Sequence, residues 1–105
     1  VRDDRILGAE QYLEDAADYI KTIKEGIEQR DVVKAARGAH PLKSNSKSFG
    51  LISLSNVAEV INTVCESPDD EDEALEIASG FLSQIQTAFA NGEKKLKHAL
   101  KVMRF

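Results

Sequence analysis

The sequence predicts an all-α fold, an antiparallel up-down four-helix bundle. Three observations predict it. Four segments repeat apolar residues at spacings of three and four, the period that lines one face of a helix. Short polar stretches carrying Asp31, Gly50 and Pro68 separate them. The alternation of a strand is found nowhere, and neither is an internal repeat.

In the first segment Ile6, Ala9, Leu13, Ala16, Ile20, Ile23 and Ile27 form a heptad-like stripe, which spans about six turns. Glu10, Glu14, Asp15, Lys21, Lys24 and Glu28 lie off it and face water. Gly26 weakens the last turn by roughly 1 kcal/mol relative to Ala, and the helix is expected to end near Arg30. Asp31 can cap the second helix, which runs to Phe49. Gly50 then serves as a C-terminal stop, since glycine tolerates the left-handed conformation.

The third helix is expected over Ser53 to Glu66, with Leu54, Val57, Ile61 and Val64 as its stripe. Ser67-Pro68-Asp69-Asp70 reads as a loop, and the acidic run Asp69 to Glu73 favours a helix N-terminus. The fourth helix would bury Leu75, Ala78, Phe81 or Leu82, Ile85 and Phe89. Asn91-Gly92 is a turn signal. Beyond it Leu96, Leu100 and Met103 recur among Lys94, Lys95, Lys97 and Lys101, either as a short extra C-terminal helix or as an extension of the fourth. No helix would be stable alone. Each fully buried Ile or Leu contributes about 1.5–3 kcal/mol, and only pooling across helices offsets the ordering cost.

At 105 residues the chain is expected to be one domain, residues 1–105. It begins at Val1, as a processed product or a piece of a longer protein would. Residues 1–5 are charged and lack the apolar centre of a signal peptide, and no apolar run is long enough to span a membrane. Cys65 is the single cysteine, so an intramolecular disulfide is excluded and a cytoplasmic location is expected. A net charge of −4 argues against nucleic acid as a partner.

The segment with the most chemical content is His40-Pro41-Leu42-Lys43-Ser44-Asn45-Ser46-Lys47-Ser48-Phe49-Gly50. On a helix His40, Lys43, Ser44 and Lys47 share an arc of roughly 100°. Ala39, Leu42, Ser46 and Phe49 run along a different stripe that can face a core. One face would thus be anchored while the other presents an imidazole among ammonium groups. Histidine side chains ordinarily titrate near neutrality, so an unprotonated nitrogen can serve as a nucleophile. Pro41 removes the N–H that would bond the Arg37 carbonyl and clashes there. Either the helix continues with a kink, with Gly38 letting the backbone yield, or His40 is an N-cap and Pro41 the first helical residue.

These residues resemble the signature of histidine-containing phosphotransfer (HPt) domains: a histidine, lysine three later, a small residue four later and glycine ten later. Here they are His40, Lys43, Ser44 and Gly50. The resemblance implies a phosphorelay carrier. His40 would take a phosphoryl group from an aspartyl phosphate on one receiver domain and pass it to an aspartate on another. Lys43 would screen the phosphoryl charge, Ser44 would leave room for the receiver, and Gly50 would end the helix. Lys47 and Arg37 are further candidates for partner contact. The receiver would supply the metal and acidic cluster, so the chain would be a carrier more than an enzyme, with no cofactor and no metal site of its own. Its partners would be response-regulator receivers or a hybrid histidine kinase, met as a monomer.

Two other functions compete. The dimerisation and phosphoacceptor region of a sensor histidine kinase places an acidic residue directly after its histidine and a proline five later; here those positions hold Pro41 and Asn45. A degenerate bundle could dock receivers without carrying phosphate, although His40 and Lys43 are both present. His98, in the lysine-rich tail, reads as an ordinary surface residue, and Cys65 as a small core residue. Val33, one heptad before His40, is expected to pack against the first helix rather than meet a partner.

Overall fold

The computed structural model describes residues 4–103, and side-chain burial for residues 8–102. Four helices follow in order: α1 (Asp4–Glu28), α2 (Val32–Ser48), α3 (Ile52–Glu66) and α4 (Glu71–Met103). Each packs on the next and α4 returns to α1, while α2 and α4 stand diagonally opposite. This is the up-down bundle, and it is elongated, 51 × 20 × 18 Å. No strand occurs among the described residues, and no helix among them is long and apolar enough to cross a membrane.

The core draws on all four helices: Ile23, Leu42, Leu54, Ile61 and Ile85 are fully buried. The expected α1 stripe is largely inside, with Ala9, Ala16, Ile20 and Ile23 buried and Leu13 and Ile27 partly so. Ile6 and Met103 lie outside the residues whose side chains are described. Tyr12, adjacent to that stripe, is also buried.

The helix ends follow local chemistry. α1 stops at Glu28, slightly short of Arg30, because Arg30 turns left-handed with φ 56°. The Asp31 N–H then reaches back to the Gly26 carbonyl at 2.8 Å and the Arg30 N–H to Ile27 at 3.2 Å. The Asp31 carboxylate caps α2 by accepting the Lys34 N–H at 3.0 Å, and Asp70 does the same for Glu73 at 3.2 Å. Arg30 pairs with Asp72, joining the α1–α2 connection to the first turn of α4.

Two expectations need correction, and at Pro41 one of the two alternatives holds. Asn91-Gly92 is not a turn, and the tail is no separate helix: α4 runs unbroken through both residues to Met103. Gly92 is there for space, since a Cβ on it would meet the Leu51 side chain at 2.8 Å. Val33 does not pack on α1. It is 62% exposed, because Val32 takes the inward position and the next residue is turned about 100° outward. Pro41 sits inside a continuous α2, so His40 is not an N-cap. Gly38 serves helix contact: a Cβ there would lie 2.6 Å from the Tyr19 carbonyl oxygen and 2.9 Å from Ile23 Cγ1.

Candidate functional site

The site lies on the outer face of α2. His40, Ser44 and Lys47 are exposed and Lys43 is partly so, whereas Ala39, Leu42 and Ser46 behind them are fully buried. The two stripes expected along this segment are therefore both present. Arg37 is exposed one turn before His40.

The inner face is tied down by polar as well as apolar contacts. The Tyr12 and Ser46 hydroxyls are 2.6 Å apart, and the Tyr12 ring stacks on Phe49 with centroids 4.8 Å apart. Burial pushes the Tyr12 hydroxyl above the ordinary tyrosine range, while its hydrogen bond to Ser46 pulls the other way. From α3, the Ser55 hydroxyl donates to the Lys43 carbonyl at 2.9 Å. The backbone that carries Lys43 is thus fastened to a neighbouring helix.

Gly50 ends the helix as expected. Its φ is +76° with open space around it. Its N–H bonds the Lys47 carbonyl at 3.0 Å, and the Leu51 N–H bonds Ser46 at 2.9 Å. This left-handed close satisfies carbonyls that the helix end would otherwise leave open. It also brings α3 in immediately beside the site.

That proximity adds residues that sequence reasoning missed. Lys43 and Lys47 line a hollow of about 180 Å³ together with Ile52, Ser55, Asn56 and Glu59 of α3. Ile52 is 52% exposed. Its position outside the Leu54–Val57–Ile61–Val64 stripe was the available signal that it points away from the core. Tyr12 had a signal too, for Ala9 and Ala16 lie three before and four after it on the same helical face.

His98 is not brought to this face; it is exposed on α4, the helix diagonal to α2. Among the described residues no three His, Cys, Asp or Glu side chains group to hold a metal ion. Cys65 is buried, and burial pushes its thiol up. The His40 face is open to solvent. It can present a nucleophile with ammonium groups beside it.

No curated protein and no solved structure matches the chain. The family model of the Hpt domain matches residues 9–101, a span that takes in all of α2 and α3 and most of α1 and α4. The chain therefore belongs to the Hpt domain family, the phosphocarrier modules of histidine phosphotransfer in two-component phosphorelays.

Proposed function

We propose that His40 carries a phosphoryl group between two receiver domains, with Lys43 offsetting its charge. In each direction one bond forms as another breaks. The unprotonated imidazole nitrogen attacks phosphorus, the N–P bond forms, and the P–O bond to the donor aspartate breaks with the carboxylate leaving. Passing the group on reverses those bonds with a second aspartate. The observation that carries this reading is an exposed His40 on a helix whose opposite face is fixed by Leu42, Ser46 and Tyr12.

The roles follow from the positions. Lys43 offsets charge on the phosphoryl group, and Lys47 and Arg37 meet the partner's surface. Ser44 presents too little bulk to keep a partner away, and Gly50 ends the helix. Two unit charges 4 Å apart in water interact by about 1 kcal/mol. Lysines at an open surface therefore bias the transfer without driving it, which suits a carrier whose partner supplies the catalytic groups. The bundle is completed within one chain, whereas the sensor-kinase alternative builds its four helices from two chains. That favours the carrier, acting as a monomer.

The test is direct. Incubation with a labelled, phosphorylated receiver should place a base-stable, acid-labile label on the wild type and on His98→Gln, and none on His40→Gln. A wild type that takes up no label would put the receiver-docking module in its place.

A further inference from the structure

A trough of about 910 Å³ follows the seam between α1 and α4. This is the side of the bundle away from the α2–α3 hollow beside Lys43 and Lys47. Its floor is apolar, made by Leu13, Ala17 and Leu100. Leu100 is buried, but Leu13 is only partly covered and Ala17 is exposed. The walls differ in sign: α1 contributes Glu14, beside a Glu10 that already has a partner, and α4 contributes Lys97 and Lys101. Glu93 also stands on the α4 side, but it lies 3.5 Å from the Lys97 ammonium, so it does not reverse the sign of that wall.

Shape decides what such a trough can take. Small-molecule sites enclose most of their ligand, whereas this one is open along its length. The lining spans about 10 Å of α1 and about 12 Å of α4 at 1.5 Å per residue, or roughly two turns. Two helices side by side leave a groove in which a third packs at about 8–10 Å. An apolar floor between charged walls selects a helix with an apolar stripe and charged flanks.

We propose that the α1–α4 trough docks an amphipathic helix of a partner protein. The occupant's apolar stripe rests on Leu13, Ala17 and Leu100. One flank carries a cation towards Glu14, and the other carries a carboxylate towards Lys101. None of these residues belongs to the His40 face, so both surfaces can be occupied together. The inference does not depend on phosphoryl transfer, and the two readings fail separately.

The experiment uses the full chain and two labelled helical peptides of about fifteen residues with the same leucine stripe. One has its charged flanks matched to the trough and the other has them exchanged. Fluorescence anisotropy should give the matched peptide a Kd of tens of micromolar, with the exchanged one at least about tenfold weaker. The double variant Glu14→Lys, Lys101→Glu should reverse that preference, and Ala17→Arg should abolish binding of both peptides. All three positions are exposed, so circular dichroism should show the fold intact. Equal affinities, no binding of either peptide, or an unchanged preference in the double variant would overturn the proposal. So would sedimentation showing self-association that Ala17→Arg removes, since a second copy would then be the occupant.

Discussion

The hydroxyl groups of Tyr12 and Ser46 meet at 2.6 Å in the interior, one from α1 and the other from the inner face of α2. Ser46 has no exposed surface and Tyr12 almost none. Each is the other's partner away from water. Removing one leaves a buried hydroxyl unsatisfied, which costs about 1–3 kcal/mol. Tyr12→Phe and Ser46→Ala should each lower the free energy of unfolding by that amount in urea titrations. The double variant should lose less than the sum, because contacting residues are not additive. Full additivity would show that the two hydroxyls do not interact.

The same tyrosine and Cys65 predict a loss of stability in alkali. Burial raises both groups, so folding favours their protonated, neutral forms. The unfolded chain begins to release these protons near the ordinary values, about 8.5 for cysteine and about 10 for tyrosine, while the folded chain still holds them. Their contribution is thus fully present below those values and is lost as pH rises through them towards the raised folded values. Urea titrations from neutral pH upward should show a decline that begins with the thiol and steepens with the phenol. Cys65→Ala should flatten the first part. A flat profile across the whole range would contradict the burial of both groups.

Two glycines should respond to alanine with opposite signs. Gly38 lets α2 approach α1, and a Cβ there would fall 2.6 Å from a backbone oxygen. Overpacking of this kind costs about 1–3 kcal/mol. Gly80 is exposed inside α4 with nothing within 4 Å of an added Cβ. Gly80→Ala should add about 0.5–1 kcal/mol by relieving the entropic cost of glycine in a helix. Thermal melts should therefore move down for Gly38→Ala and up for Gly80→Ala.

Two exposed apolar residues, Val33 on α2 and Ile52 on α3, give a prediction that rests on the phosphorelay reading. Val33 and Ile52 are 62% and 52% exposed. Aspartate at either position should change stability by no more than about 0.5 kcal/mol. It should still slow phosphoryl transfer from a receiver by about tenfold or more, since a charge would be buried at a docked interface. Val102→Asp, equally exposed on α4, is the control and should transfer at the wild-type rate. Unchanged rates in both site variants would remove Val33 and Ile52 from the docking surface.

What could be read from the chain depended on how local its cause was. The stripe Ile20–Ile23 in α1, the Asp31 cap and the Gly50 stop each depend on a few neighbouring residues, and all were legible. So was the face of α2 that carries His40, because its inner stripe of Ala39, Leu42 and Ser46 repeats at helical spacing. The misreadings came from tertiary causes. Gly92 looked like a turn because nothing nearby in sequence reveals that Leu51 presses against it. Val33 looked like a packing residue because a straight heptad does not tell which of two adjacent valines, Val32 or Val33, turns inward. The α3 side of the site, with Ile52, Ser55 and Glu59, depended on how closely the Gly50 bend folds α3 back onto α2. Periodicity does not report that distance.

The short junction at Phe49-Gly50-Leu51 has a consequence for recognition. With the Lys47 and Ser46 carbonyls both held across the bend and Ser55 bonded to Lys43, the two helices behave as one stiff caliper. On the phosphorelay reading its jaws are the His40 imidazole on α2 and the Ile52 side chain on α3. A receiver docking there would be gauged by its own geometry: one whose contact points match the jaws would engage both at first touch. A mismatched one would forfeit a contact or have to break the bonds that fasten the two helices.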